Sequence, residues 1–187
     1  MRLLLHICCG VCLGGPAEDL RKRGVDVDGY FYNPNIHPFA EFRQRLEAVH
    51  RLEGDLRVSI RYEESYGLEE FLREALPNDA NRCLRCYRMR MRRAARMAKE
   101  TGCEAFSTTL LVSRHQSHEQ IRKAGEEAGE ELGVGFFYQD WRPLNYRSFE
   151  VAKKSGIYRQ RYCGCIFSEY EALSKGRAGG TQRKASA

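Results

Sequence analysis

Short apolar segments alternate with amphipathic segments of helical length along most of this chain, and that alternation constrains the fold more than any other feature. The apolar or alternating segments predict strands at 2–7, 27–32, 56–62, 105–110 and 134–138. The amphipathic segments predict helices at 16–23, 38–52, 68–76, 86–100 and 119–132. Strands and helices in this order form a parallel sheet with helices on both faces. We therefore predict an α/β fold with a five-stranded parallel sheet, followed by a helical C-terminal segment over 146–173 that is broken near 162–165.

The composition fits one globular domain. The chain has 187 residues, 42% of them hydrophobic and 30% charged, which is enough to bury a core without disulfides. No stretch approaches the ~20 apolar residues that cross a bilayer, and cysteines follow the start too soon for a signal peptide. We expect a single domain over 1–173, a flexible basic C-terminal tail over 174–187, and a cytoplasmic location.

Chemically distinctive residues follow four of the predicted strands. The segments are 8–12 (CCGVC), 32–38 (YNPNIHP), 107–113 (STTLLVS) and 139–142 (QDWR). In open α/β sheets, ligands bind beyond the carboxyl ends of the strands. We therefore expect these segments to meet at one edge of the sheet and to form the functional site there.

Cysteine is the one residue type present in unusual number, with eight in the chain. Seven of them form three groups: Cys8, Cys9 and Cys12; Cys83 and Cys86; Cys163 and Cys165. Clustered cysteines in a cytosolic chain bind metal or do chemistry more often than they form disulfides. Thiolates select zinc, Cu(I) or iron–sulfur clusters. Cys103 stands alone, and we interpret it as a small buried residue.

The number of clustered cysteines narrows the choice of metal without settling it. Seven are three more than one tetrahedral zinc takes, and two zinc sites would need an eighth ligand such as His6 or His37. A four-cysteine [4Fe–4S] cluster would leave three thiols for a second metal with an open coordination position. One structural zinc with scattered core cysteines is the simpler alternative.

Four sequence motifs, three of them containing cysteines, occur in an order that is specific although each motif alone is not. The motifs are CCxxC at 8–12, YNPNIHP at 32–38, CxxC at 83–86 and YCGC at 162–165. Over roughly residues 3–170 the chain closely resembles the cobalamin-independent epoxyqueuosine reductases of the QueH type. The resemblance implies a Rossmann-like sheet of the nucleotide-hydrolase type. It also implies reduction of epoxyqueuosine to queuosine at the tRNA wobble base, the last step of queuosine biosynthesis.

The resemblance further implies a [4Fe–4S] cluster with a mononuclear iron close by, and all seven clustered cysteines match motif positions of the family. Epoxide removal takes two electrons and two protons, and no ordinary side chain supplies electrons, so a redox cofactor is required. The electron donor is unknown. His37 is a candidate proton donor, and Asp140 is a candidate iron ligand or proton carrier.

Planar side chains in the strand-end segments are candidates for holding the substrate base. Enzymes that act on a base take it out of the stack, and aromatic or guanidinium planes then hold it. Tyr32, Trp141 and Arg142 are the candidates for stacking, and Asn33 is a candidate for hydrogen bonding. The alternatives are that Trp141 fills the core and that Asn33 only shapes the turn before Pro34.

The predicted helix at 86–100 is strongly basic and lacks acidic residues before its last position. Four arginines at three- and four-residue steps share one face, and we name them the basic ridge: Arg85, Arg88, Arg92 and Arg96. Such a ridge can bind phosphates of the anticodon stem. The alternative is a solvated face whose charges pair with acidic residues elsewhere, such as Glu126, Glu127, Glu130 and Glu131.

Two other functions stay open on the residues alone. An iron–sulfur tRNA thiolase of the same sheet type would need a phosphate-binding loop after the first strand, but cysteines and glycines occupy 8–15 instead. A zinc-stabilised RNA-binding module would need no redox metal. Metal analysis separates the zinc module from the reductase, and ATP binding separates the thiolase.

Overall fold

The strand formed by Leu3, Leu4 and Leu5 lies at the centre of the sheet, because these side chains are apolar and fully buried on both faces. In the computed structural model, which describes residues 1–178, all five strands pair in parallel in the order β3-β2-β1-β4-β5. The strands are β1 (Arg2–Ile7), β2 (Asp26–Phe31), β3 (Ser59–Tyr62), β4 (Ala105–Thr108) and β5 (Gly135–Phe136). The predicted α/β fold class is confirmed.

Helices cover the sheet and continue beyond its last strand. They are α1 (Gly10–Lys22), α2 (Phe39–Leu56), α3 (Leu68–Ala75), α4 (Arg82–Glu100), α5 (His118–Leu132), α6 (Asn145–Lys154) and α7 (Ile166–Ala178). Helix α4 packs on α5, and α1 packs on α6. Within residues 1–178, none of these helices is both long and apolar enough to span a membrane. Helix α7 runs past the expected domain end at 173, and the rest of the predicted tail, 179–187, lies outside the described residues.

The start of α1 differs from the prediction, which placed it at Pro16. The helix begins at Gly10, so Pro16 lies inside it and has no N–H to donate to the carbonyl of Cys12. Close packing on α6 holds the helix although this bond is missing: a Cβ on Gly14 would lie 2.8 Å from Val151, and one on Gly15 would lie 2.6 Å from Ser148 Oγ. As a consequence, Cys12 belongs to the first turn of a helix rather than to a loop.

Hydrogen bonds hold the carboxyl ends of the central strands together. His6 donates from Nε2 to the Tyr32 carbonyl at 3.0 Å, and its Nδ1 lies 2.8 Å from Thr108 Oγ1. The Asn33 amide donates to the Ile7 carbonyl at 2.8 Å. Both His6 nitrogens are occupied, so His6 is a structural link and is not free to bind a metal. These bonds join the ends of β1, β2 and β4, as the sequence predicted.

Candidate metal centre

Three cysteine sulfurs meet where β1 passes into α1. The Sγ atoms of Cys8, Cys9 and Cys12, the three-cysteine set, all lie within 4.8 Å of one another. Cys9 is the N-cap of α1 in an extended conformation, and Cys12 lies in the first turn. A side chain on Gly10 could not be accommodated, because a Cβ there would lie 2.9 Å from Ile157 and 3.1 Å from the Ala48 carbonyl.

The three-cysteine set favours one thiolate among two protonated thiols. Hydrogen bonds from the Cys12 and Cys8 thiols, together with the charge of Arg45, hold the pKa of Cys9 well below its usual range. The same contacts with Cys8 and Cys9, and burial, raise the pKa of Cys12 well above its usual range. A metal ion takes the place of such protons when thiolates bind it.

This set lies on the wall of a cavity of about 390 Å³, a size typical of small-ligand sites (~300–1,000 Å³). Two segments, 113–117 and 159–163, which we name the rim loops, supply much of the remaining wall. In each rim loop, the side-chain amide of a glutamine donates a hydrogen bond to a cysteine sulfur. Gln160 Nε2 donates to Cys9 Sγ at 2.9 Å, and Gln116 Nε2 donates to Cys163 Sγ at 3.2 Å.

A second group of thiols adjoins the first. Cys163 lines the same cavity as the three-cysteine set. Two residues further on, Cys165 packs with Cys86, Phe71 and Ala75 in a small apolar cluster separate from the main core. Burial raises the pKa of Cys86 to about 12, with Cys163, Cys165 and the exposed Cys83 adding to the effect. We name Cys83, Cys86, Cys163 and Cys165 the four-cysteine set.

Arg90 is a buried cation with sulfur around it. Its side chain is 1% exposed, Nε donates weakly to the Cys86 carbonyl at 3.4 Å, and Nη2 has no partner among the described residues. No described carboxylate pairs with it. Burial lowers its pKa, but the sulfurs of Cys86, Cys163 and Cys8 raise it by more. Among the described residues, the negative charge in a position to balance Arg90 is therefore thiolate charge.

Arg45 is the second buried arginine of the site, and it fixes the rim loop at 159–163. It pairs with Glu41 at 2.7 Å, with both side chains buried, and donates to the carbonyls of Cys163 and Tyr162 at 2.8 and 2.9 Å. Gly164 follows with φ of 137°, a conformation that favours glycine, and a Cβ there would lie 3.1 Å from Arg45.

The two predicted catalytic residues do not line the cavity. His37 is buried behind it, with Nδ1 2.8 Å from the Tyr66 hydroxyl and Nε2 without a described partner, and it packs against Phe71. Asp140 pairs with Arg142 at 2.6 Å, and that arginine lowers the pKa of Asp140 to about 2. The structure thus brings His37 close to the apolar cluster of Cys86 and Cys165, and it leaves Asp140 in a separate surface pair.

His37 is expected to make the stability of the fold depend on pH. Burial lowers its folded pKa to about 4, while an unfolded histidine titrates near ~6.5. Between these values the unfolded chain binds a proton that the folded chain does not. The contribution of His37 to the stability is therefore fully present above pH ~6.5, and it falls by up to about 3 kcal/mol as the pH drops to about 4. Urea unfolding of metal-free protein at several pH values checks this, with His37→Gln expected to remove that part of the slope. An unchanged slope in the variant would exclude His37 as the group.

The residues predicted to hold the base are engaged within the protein. Trp141 is 1% exposed, and its Nε1 donates to Asp19 at 2.9 Å. The Tyr32 hydroxyl donates to Glu70, the Asn33 amide bonds Ile7, and Arg142 pairs with Asp140. None of the four predicted residues lines the thiol cavity. Trp141 occupies a core position, which matches the alternative interpretation made from the sequence, and Asn33 links two strand ends.

The basic ridge is largely neutralised by acidic residues. Arg88 makes two hydrogen bonds with Glu127, at 2.8 and 2.9 Å, and Arg92 pairs with Glu131 at 2.9 Å. Arg85 pairs with Asp79 at 3.0 Å and also donates to backbone carbonyls. Arg96 has no ion-pair partner within the part of the chain that the structure describes. Pairing with α5 glutamates is the arrangement that the alternative interpretation expected.

Several residues of the site were not predicted from the sequence. They are Arg45, Arg90, Gln116 and Gln160, together with the exposed arginines of the rim loops. A signal was present for two of them: Arg90 lies four residues after Cys86, hence on the same helix face, and Gln160 precedes the last cysteine pair closely. Arg45 and Gln116 are distant in sequence from every cysteine, so only the fold reveals them.

A parallel α/β sheet in the order β3-β2-β1-β4-β5, with a thiol-lined cavity at its carboxyl edge, defines a Rossmann-like protein whose Cys8, Cys9 and Cys12 lie close enough together to hold a metal ion. The family model described as epoxyqueuosine reductase QueH matches residues 3–171. This chain belongs to that family, and the resemblance drawn from the cysteine motifs is confirmed. The assignment makes it an enzyme of the oxidoreductase class.

Relatives bearing the same name cover nearly the whole chain. The protein named epoxyqueuosine reductase QueH from Dehalococcoides mccartyi is 38% identical, over 93% of this chain and 96% of its own length. The one from Thermotoga maritima is 35% identical, over 92% and 93%. Among solved structures, a deacetylase in complex with teicoplanin covers 97% of this chain and 94% of its own, with a TM-score of 0.49 and 13% identity.

Proposed function

We propose that this chain reduces epoxyqueuosine to queuosine at the wobble position of tRNA, with electrons that pass through an iron–sulfur centre held by its clustered cysteines. The observation that carries the proposal is the position of the thiols. Thiols from the start and the end of the sequence line one cavity, and thiols from the start, middle and end of the sequence lie around the buried Arg90. Family membership supports the reaction, and it disfavours both the thiolase and the zinc-stabilised RNA-binding module.

The donor set fits an anionic metal–thiolate group. Arg90 is buried without a described carboxylate partner, and an unbalanced buried cation is costly, so thiolates beside it are favoured. Soft thiolates select zinc, Cu(I) or iron–sulfur clusters. Zinc has no redox chemistry, whereas removal of an epoxide oxygen needs electrons. Iron with sulfide meets both the ligand chemistry and the need for electrons, and the family to which the chain belongs favours it over copper.

The two thiol sets suggest how the metals are divided. The four-cysteine set has the number of ligands that a [4Fe–4S] cluster takes. The three-cysteine set lies on the cavity wall and would leave a coordination position open on a mononuclear iron. Cys163 lines the cavity and adjoins Cys165, so it lies where the two sets meet. This division goes beyond the sequence interpretation, which left the seven thiols unassigned.

When bound, the iron–sulfur group supplies the two electrons that, with two protons, convert the epoxide into an alkene and water. The chain's own residues prepare the site. The amides of Gln160 and Gln116 donate to Cys9 and Cys163, which stabilises thiolate charge. Arg45 holds the rim loop that carries Cys163. The cavity has room for a base that leaves its stack, as enzymes acting on bases require.

Anaerobic reconstitution tests the proposed function. The protein is loaded with iron and sulfide, both are counted per chain, and it is incubated with tRNA carrying epoxyqueuosine and dithionite as the electron source. We expect bound iron and sulfide, and conversion of epoxyqueuosine to queuosine, detected in nucleoside digests by mass spectrometry. Full activity of a zinc-loaded, iron-free protein would refute the iron–sulfur part. Iron-loaded protein that leaves epoxyqueuosine unchanged would refute the reaction.

A further inference from the structure

Three exposed arginines surround the mouth of the thiol cavity. Arg114 belongs to the first rim loop, Arg159 and Arg161 belong to the second, and all three line the cavity. No described carboxylate lies within ion-pair distance of any of them. We name Arg114, Arg159 and Arg161 the rim arginines. Their charge is available to an anionic ligand, whereas Arg88 and Arg92 of the basic ridge already pair with glutamates.

The second rim loop holds two of these arginines in defined positions. Gln160 reaches inward to Cys9 Sγ at 2.9 Å, while the residues on either side of it remain exposed. The Arg159 guanidinium lies 4.7 Å from the centre of the Phe149 ring, and Phe149 also lines the cavity. A thiol binds one end of this loop and Arg45 holds the other. The backbone that carries the two arginines is therefore already ordered, and little conformational entropy is lost there when a ligand binds.

We propose that the rim arginines bind the phosphates on either side of the wobble nucleotide, so that the anticodon loop is held over the cavity while its base enters. This inference rests on the proposed function for the identity of the RNA. Sequence-specific RNA binding targets single-stranded loops with splayed bases. A guanidinium group binds a phosphate through two parallel hydrogen bonds to two of its oxygens. An extruded base leaves its two flanking phosphates at the cavity mouth, where unpaired cations are required.

The main RNA contact then lies at the rim of the cavity and not on the basic ridge. The ridge was the expected phosphate-binding surface because its charges are dense along one helix face. In the fold, α5 glutamates pair with Arg88 and Arg92, and Asp79 pairs with Arg85, so an RNA backbone would have to compete with these carboxylates. The rim arginines meet no such competition from the described residues, and they lie at the site of the reaction.

The test compares three double variants in RNA binding. The rim variant is Arg159→Gln with Arg161→Gln, and the ridge variant is Arg88→Gln with Arg92→Gln. The control is Lys22→Gln with Arg51→Gln, two exposed residues near the C-terminal ends of α1 and α2, at the opposite edge of the sheet. All three variants have two positive charges fewer than the unmodified protein. The ligand is an unmodified anticodon stem-loop RNA, so that binding is measured apart from catalysis, over a series of salt concentrations.

We expect the rim variant to bind roughly 100-fold more weakly, since each arginine removed takes with it a charge-assisted hydrogen bond to phosphate, which contributes about tenfold in affinity. Its slope of log affinity against log salt should fall by about 1.4, because each single-strand phosphate neutralised contributes ~0.7. Iron and sulfide content should stay unchanged in the rim variant. The control should bind like the unmodified protein. A rim variant with unchanged affinity and slope overturns the inference, whatever the ridge variant does.

Failure of this inference can be told apart from failure of the proposed function. If the unmodified protein reduces epoxyqueuosine but the rim variant binds RNA as well as the control does, only the rim assignment is wrong. If the rim variant binds RNA more weakly while iron-loaded protein leaves epoxyqueuosine unchanged, the rim assignment stands and the reaction is wrong.

Discussion

Serine at Cys9 and serine at Cys86 are expected to abolish turnover in different ways. Cys9→Ser should lower reduction of epoxyqueuosine at least ~100-fold, because removal of a ligand exceeds the 10–100-fold cost of removing an outer partner. It should keep the sulfide and lose about one iron per chain, since Cys9 belongs to the three-cysteine set. Cys86→Ser should lose sulfide and most of the iron, since Cys86 belongs to the four-cysteine set.

Cys103→Ser is the matched control for these variants. Cys103 is buried outside both thiol sets, 3.4 Å from Thr101 Oγ1 and 3.8 Å from Asp28 Oδ2, contacts that a serine hydroxyl can also make. Its metal content and turnover should equal those of the unmodified protein. Iron and sulfide assays after anaerobic reconstitution, with single-turnover kinetics, measure all three. If Cys9→Ser and Cys86→Ser lose the same metals, the division into two sets is wrong.

Arg90→Met is expected to leave the metal-free protein as stable as before or more stable, but to weaken the retention of metal by the iron-loaded protein. In metal-free protein, the raised pKa values of Cys8 and Cys86 keep these neighbouring thiols protonated at neutral pH, which leaves Arg90 an unbalanced buried charge. Methionine of similar volume should therefore leave stability equal or raise it by ~1–4 kcal/mol. In iron-loaded protein, the cation balances thiolate charge. Its removal should weaken metal retention ~10–100-fold. Urea unfolding of both forms, and the rate of iron loss to a chelator, measure the two effects.

Arg93→Met provides the comparison on the same helix. Arg93 pairs with Glu63 and is partly exposed, so its replacement should cost little stability and leave iron loss unchanged. A metal-free Arg90→Met protein that is several kcal/mol less stable than the unmodified chain would show that Arg90 serves packing. Charge balance at the metal centre would then be the wrong explanation for its burial.

The sheet was predictable because it depends on local pattern. Of the four segments expected at its functional edge, 8–12 and 107–113 contribute to the cavity wall, whereas 32–38 and 139–142 do not. β1 was predicted at its observed residues, since an apolar run bounded by polar and cysteine segments is typical of a buried central strand. The ends of β4 and α1 were not predicted. Thr108 turns the chain into a 3₁₀ helix by accepting a bond from Leu110 N, and α1 starts six residues early because glycines let α6 approach it.

The order and spacing of the motifs were enough to name the family, which the family model confirms, and metal binding by their thiols stays a prediction. Charge behaves differently, because whether an arginine is free depends on what packs against it. Glu127 lies 39 residues from Arg88, and Cys163 lies 47 from Gln116. Such pairs arise only when helices and loops come together. Tertiary packing therefore decided that the ridge is largely neutralised, that Arg90 is buried among sulfurs, and that three unpaired arginines lie at the rim of the cavity.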